Sequence, residues 1–254
     1  MCLAVLFYHH FADAAVALAA NREEAYDRPT LAPHWWDGTG PTFAGRDRRA
    51  GGTWLGVSRG GLLVAVTNRR RPPAEAGAEP APRSRGLLCA DALVLPAAAE
   101  LARWLEEHLR HWAYEPFNLL VADRASAHVA HWDGALRLAA VTPGIHLLAD
   151  TDLDDPDHAR LRRARSLLAR HLGNTWAVAL QVLPRLMGDH ADGVAATDQM
   201  CRHLGRGGTV SSSLVALPAP GPGAASYLYA PGPPCTHPYA DLSVPFRAGL
   251  AGRS

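Results

Sequence analysis

The 254-residue chain contains no lysine: all 25 of its basic residues are arginine. A lysine Schiff base and a P-loop lysine are thereby excluded. Isoleucine occurs once, at Ile145, and cysteine only at Cys2, Cys89, Cys201 and Cys235. No two cysteines form a C-x-x-C pair, so neither a zinc knuckle nor a thioredoxin motif is present, and their scatter argues against a disulfide framework. Apolar runs long enough to span a bilayer are missing as well. Net charge is nearly absent, at +1, which leaves no broad surface for nucleic acid or anionic lipid. Ala17-Leu18-Ala19 is shaped like a signal-peptidase site, but no basic segment precedes it, and His9, His10 and Asp13 interrupt the apolar stretch. The expectation is a cytoplasmic protein in a reducing compartment, without integral membrane association. G-x-G-x-x-G, Walker A and H-E-x-x-H motifs are all lacking.

What is present is a chain with 48% hydrophobic residues, long enough for a full core. Residues 2–8 and 14–20 read as two strands, with helix the competing reading for the alanine-rich second. A Pro-, Trp- and Gly-rich loop is expected over 28–52, then a hairpin of 53–57 with 62–67 across Ser58-Arg59-Gly60-Gly61. Residues 69–86 read as a flexible Pro/Arg-rich loop. A helix over 97–112 follows, with Leu101, Trp104, Leu105, Leu109 and Trp112 on one face. Strands are expected at 118–122, 128–132 and 136–141, the last two joined at Asp133-Gly134. Asp155-Pro156 predicts a helix start, with arginines facing water, and further helices are expected over 175–187 and 194–204, the last closed by Gly205. Strands at 211–217 and 227–229 end the series. Hairpins outnumber β-α-β units, which favours a mixed or antiparallel sheet covered by helices.

Cys2 is the first candidate for chemistry. Once Met1 is removed, one residue carries both a thiol and an α-amine basic enough to take the thiol proton. The alternative is a small apolar residue opening a buried strand. In Asn21-Arg22-Glu23-Glu24, Arg22 is suited to hold a carboxylate or steady a nucleophile's charge, and a solvated surface cluster is the competing account. Gly51-Gly52 allows close backbone approach or a bulge, and Asn68 either aims an amide at an oxyanion or caps a turn. Trp35 and Trp36 suit an apolar pocket floor or ordinary core packing. Among thirteen histidines, His9-His10 and Cys201-x-His203 are the nearest pairs. Adjacent positions in a strand diverge, as do positions two apart in a helix, so no metal ligand is assigned.

Met1-Cys2, Asn21-Arg22-Glu23-Glu24, Arg28-Pro29, Trp35-Trp36, Gly45-Arg46-Asp47 and Gly51-Gly52-Thr53-Trp54-Leu55-Gly56, in that order, resemble the NRDE family, which includes the transport-and-Golgi-organisation protein 2 relatives. Thr67-Asn68, Ser84-Arg85-Gly86, Asn118–Asp123 and Gly208–Ser213 extend the resemblance over nearly the whole chain. It implies an α+β, Ntn-hydrolase-like αββα sandwich in a single domain, with two stacked, mainly antiparallel sheets flanked by helices. The start is also similar to the penicillin-acylase and bile-salt-hydrolase branch of that fold. By that analogy Cys2 is the nucleophile, Arg22 or Glu23 positions it, and Asn68 donates to the oxyanion. Asn21, Trp36, Arg46, Asp47 and Trp54 are the substrate-binding candidates. The implied activity is hydrolysis of a non-peptide C–N bond or acyl transfer on a small substrate. The other implied role is carriage of haem, acyl-CoA or a lipid-like ligand, without catalysis. Three departures stand out: Glu23 replaces the family's aspartate, Leu148-Ala149-Asp150 its Leu-Ser-Asn, and Val210 an arginine.

Overall fold

A computed structural model describes residues 2–38, 40–70, 82–190, 193–219 and 224–250. The chain divides into two compact units, one of residues 1–28 with 142–254 and one of residues 29–141.

The first unit is built on an antiparallel sheet of β1 (Leu3–Tyr8), β2 (Ala14–Ala25), β10 (Gly144–Leu148), β11 (His203–Leu204), β12 (Gly207–Pro218), β13 (Ser226–Ala230) and β14 (Ala240–Asp241). Its order is β10-β1-β2-β12-β13-β14, with β11 paired to β12. The alanine-rich second segment is therefore strand, not helix. β2 lies between β1 and β12, and packing on both sides overrides alanine's helical preference. One face of this sheet, with Leu3, Val5, Phe7, Ala17, Ala19 and Leu214, packs against Leu161, Ala164 and Leu168 of α3 (Ala159–His171) and against α4 (Trp176–Ala179) and α5 (Leu183–Met187). His158 caps α3 by accepting from the Leu161 N–H, and Asp155 instead holds the Asp157 N–H in a local turn. The helix consequently starts later than Asp155-Pro156 suggests. One of its arginines, Arg160, is fully buried rather than facing water. The helix expected over 194–204 is absent: a 3₁₀ turn at Ala196–Asp198 leads into β11, and Gly205, at φ +37°, sits in the β11–β12 turn. A last helix, α6 (Ser243–Leu250), was not foreseen.

The second unit is a meander, β3 (Thr30–Trp35), β4 (Thr42–Asp47), β5 (Leu55–Ser58), β6 (Leu63–Asn68), β7 (Phe117–Ala122), β8 (Ala127–Trp132) and β9 (Leu136–Ala140), paired in chain order. Two strands thus replace the loop expected over 28–52. Pro33 obscured the first of them, and it is tolerated because β3 is an edge strand whose register shifts between Leu31 and His34. Leu88, Cys89 and Ala92 of α1 (Arg85–Ala92) and Leu101 and Leu105 of α2 (Leu101–His111) cover one sheet face through Val64, Val66, Phe117, Leu119 and Val121. Trp112 ends outside α2, 48% exposed, with Arg83 stacked on its ring at 4.7 Å. The loop expected over 69–86 falls largely on 71–81, outside the described residues. Its end opens α1, with Ser84 as N-cap. Among the described residues no helix is long and apolar enough to cross a membrane.

Candidate active site

Cys2 stands half-buried one residue before β1. Leu3 pairs with Asn21, so continuing the register by one residue sets Cys2 beside Arg22. Arg22 in turn pairs with Ser211 of β12. Strand alternation places this row on the sheet face opposite the one that α3, α4 and α5 cover. Arg22 is 6% exposed, and its charge reaches Tyr229. Burial pushes that phenol above its usual range, with Ser211 and Arg22 opposing the shift. Of the other thiols, Cys89 is fully buried and pushed up by burial, and burial and Cys235 push Cys201 up to about 12. Burial thus disfavours both as nucleophiles.

Asn21 and Glu23 project from the other face of β2, toward the helices. Asn21 Nδ2 donates to the carbonyls of Met187 at 2.9 Å and Met200 at 2.8 Å. Glu23 lies between two buried cations: Arg160 Nη2 donates to Oε1 and Arg202 Nη1 to Oε2, the latter at 3.1 Å. Burial first, then the neighbouring Arg160, lowers the Arg202 pKa, with Glu23 and Asp150 opposing. Glu23 is thus a counter-ion on the opposite side of the strand from Arg22. The extra methylene relative to aspartate lengthens its reach toward both guanidinium groups. Nearby, Asp150 Oδ1 takes a hydrogen bond from His158 Nε2 at 2.9 Å, with both side chains buried. His158 Nδ1 accepts from the Leu161 N–H, which leaves the ring hydrogen on Nε2.

Asn68, Trp36, Arg46, Asp47 and Trp54 all belong to the second unit. Arg46 stacks on Trp36 at 5.0 Å and donates from Nε to the Gly51 carbonyl at 3.3 Å. Asp47 accepts from the Arg49 N–H at 3.0 Å, and its carbonyl from Gly51 N–H at 2.8 Å. Trp54 lies against Gly45, where an added Cβ would come within 2.7 Å of the indole. At Gly52 an added Cβ would fall 2.1 Å from the Gly86 carbonyl carbon, and Thr53 N–H donates to Gly86 O at 2.9 Å. Gly52 therefore locks the turn after β4 onto the start of α1. Asn68 is half-buried at the end of β6, where alternation sets it on the face carrying Val64 and Val66. Thr67, on the other face, joins a buried chain in which Asn118 donates to Thr67 at 3.1 Å and pairs with His131 at 2.7 Å.

One grouping escaped the sequence reading. His190, Cys201, His203 and Cys235 converge in the first unit. Cys201-x-His203 is the half that sequence spacing shows, and a helix there, as expected over 194–204, separates such positions. In extended chain, positions two apart share a side.

The sequence profile of the family described as Transport and Golgi organisation 2 matches residues 1–206. The Transport and Golgi organization 2 homolog of Mus musculus is 33% identical over 150 residues, covering 55% of this chain and 51% of that protein. The Homo sapiens homolog is 31% identical over 147 residues, with the same coverage. The chain thus matches about half the length of these relatives. Among solved structures, penicillin V acylase from Agrobacterium tumefaciens superposes with a TM-score of 0.59 at 12% identity, covering 91% of this chain and 83% of the acylase. An N-acylethanolamine-hydrolyzing acid amidase ortholog from Caenorhabditis elegans gives 0.51 at 14%, covering 85% and 92%. A variant of the conjugated bile acid hydrolase from Clostridium perfringens gives 0.51 at 9%, covering 95% and 92%. At these identities the likeness concerns the fold, which is that of the Ntn hydrolases. By its profile match over most of its length, the chain belongs to the Transport and Golgi organisation 2 family.

Proposed function

We propose that the chain is a Cys2-dependent N-terminal-nucleophile enzyme that hydrolyses a non-peptide C–N bond, or transfers the acyl group, on a small acyl or amide substrate. The observation that supports this is the placement of Cys2 at the head of β1, in register with buried Arg22, on an Ntn-hydrolase fold. Removal of Met1 frees the α-amine, which takes the thiol proton. The thiolate then attacks the acyl carbon, and the C–N bond breaks as the amine leaves with that proton. Water cleaves the thioester, releasing the acid and restoring the thiol, and a second amine in place of water gives acyl transfer. Arg22 stabilises the thiolate. Asn68, Asn21, Trp36, Arg46, Asp47 and Trp54 rest on family resemblance alone.

The test combines intact mass before and after a limiting thiol-directed electrophile at about pH 7 with turnover of three probes: penicillin V, an N-acylethanolamine and a conjugated bile acid. Loss of Met1, one rapid adduct at Cys2 and turnover that vanishes in Cys2→Ser support the enzyme. A retained Met1, or labelling no faster at Cys2 than at Cys235, overturns it.

Asp150 favours a second reading. Where the resemblance places an amide donor stands a buried carboxylate bonded to His158, and a carboxylate repels an oxyanion rather than donating to it. The chain is then a carrier of haem, acyl-CoA or another lipid-like ligand. Thermal shifts with such ligands, unchanged in Cys2→Ser, distinguish this role, and flat titrations with both haem and acyl-CoA count against it.

A further inference from the structure

Four side chains from three segments of the first unit meet at one point: His190 beyond α5, Cys201 and His203 at the entry to β11, and Cys235 between β13 and β14. One donor atom from each lies within 4.8 Å of all the others. Cys201 Sγ is 3.6 Å from Cys235 Sγ and 3.8 Å from His203 Nε2, which is 3.3 Å from Cys235 Sγ. Two thiols and two imidazoles form the donor set of closed, four-coordinate zinc sites. At ordinary bond lengths, a tetrahedral zinc separates its donors by about 3.8 Å for S–S, about 3.6 Å for S–N and about 3.3 Å for N–N. The three observed separations lie within about 0.3 Å of those edges.

The surroundings support a site that is held in place. His190 Nδ1 faces Gln199 Oε1 at 3.1 Å, which leaves Nε2 for a metal. The chain leading into Cys201 is fixed from the core: Arg160 donates to the carbonyls of Gln199 at 2.9 Å and Met200 at 2.7 Å, and Asn21 donates to Met200 as well. Cys201 N–H donates to Asp189 O at 3.2 Å, tying the approach to β11 to the segment that carries His190. An open cleft of about 690 Å³, lined by Arg185, His190, Cys235, His237 and Tyr239 among others, gives an ion its way in.

We propose that His190, Cys201, His203 and Cys235 bind one Zn²⁺ per chain as a structural clamp. It joins the 188–204 segment to the turn-rich stretch before β14. Binding forms two Zn–S and two Zn–N bonds and breaks two S–H bonds, whose protons pass to solvent. No oxidant or reductant takes part. Four protein ligands leave no open position, so the metal stabilises the fold and performs no chemistry.

The full chain, reduced and stripped with a chelator, is titrated with Zn²⁺ against a chromophoric chelator, and in parallel with Co²⁺. The expected result is one equivalent bound, a tetrahedral cobalt spectrum with thiolate-to-cobalt charge-transfer bands, and a higher Tm with zinc. Cys235→Ser weakens those bands and abolishes equimolar zinc retention. His203→Ala, at the surface, keeps the bands but loosens binding, and Gln199→Ala weakens zinc affinity roughly 10-fold. Cys2→Ala retains the full metal content, which separates this site from the proposed nucleophile. Three results overturn the proposal: no uptake by the reduced chain, full zinc retention in Cys201→Ser/Cys235→Ser, or a Cys201–Cys235 disulfide that takes up no metal once reduced.

Discussion

At the scale of single residues, β2 separates two roles by alternation alone. Arg22 and Glu23 are neighbours in the chain, yet one lies beside Cys2 and the other neutralises Arg160 and Arg202 on the far face. Glu23→Gln leaves two buried guanidinium groups short of a counter-charge, and is expected to cost about 3–5 kcal/mol of stability. Urea unfolding measures it, and an activity loss at unchanged stability would return Glu23 to the nucleophile's side. His146 offers a pH test. Its hydrogen bond to Asp154 at 2.7 Å raises its pKa despite burial. Burial works against ionised Asp154, but His146, the Leu147 N–H and Arg165 hold its carboxyl below the usual range. The histidine's contribution is full below its unfolded pKa and fades as pH rises through the raised folded value. That of Asp154 is full above its unfolded value and fades as pH falls through the depressed one. The stability difference between the wild type and His146→Gln is therefore expected to shrink from about pH 5.5 to about pH 8.5, measurable as Tm.

At the scale of elements, the glycine motif acts through shape. Gly52→Ala drives a Cβ into the Gly86 backbone, which cannot swing aside as a side chain would. It is expected to cost at least about 1–3 kcal/mol. Gly51→Ala meets open space and carries only the strain of φ +80°, about 1–2 kcal/mol. Paired thermal melts rank the two, and equal losses would show that the clamp is not what the motif provides. These motifs were legible as family signs, but their contact was not, because Gly52 and Gly86 meet across an intervening hairpin and a Pro/Arg-rich stretch that carry no signal for the contact. Hairpins with clear turns, such as Ser58–Gly61 and Asp133-Gly134, read correctly because the signal is local. β3 and the region around Cys201 did not. Pro33 suggests a loop unless the strand is known to be an edge, and of residues 194–204 only His203 and Leu204 are paired, through a partner strand, β12, that local sequence does not reveal. Cys2 and Arg22 were legible as candidates, whereas the four-residue cluster depends on contacts up to 34 positions apart along the chain between its thiols.

At the scale of the whole molecule, the two sheets differ in how the chain must search for them. The second pairs its strands in sequence order. The first is completed only when β12 returns to β2, as in the bond from Ser212 Oγ to the Ala20 carbonyl, 192 residues apart. Closing that loop precedes any reward from its contacts. Pulse-labelled hydrogen exchange during refolding is expected to protect β5–β8 amides before those of β2 and β12, and simultaneous protection would refute the order. Pro33 has one more consequence, for life in a crowded solution. A sheet edge with a full row of N–H groups is a template on which another chain can add a strand. In β3 the proline removes a donor and the shifted register bends the row, so a neighbouring copy finds no continuous ladder to extend. Pro33→Val restores the missing donor, and light scattering on concentrated protein is expected to show more self-association in the variant than in the native chain.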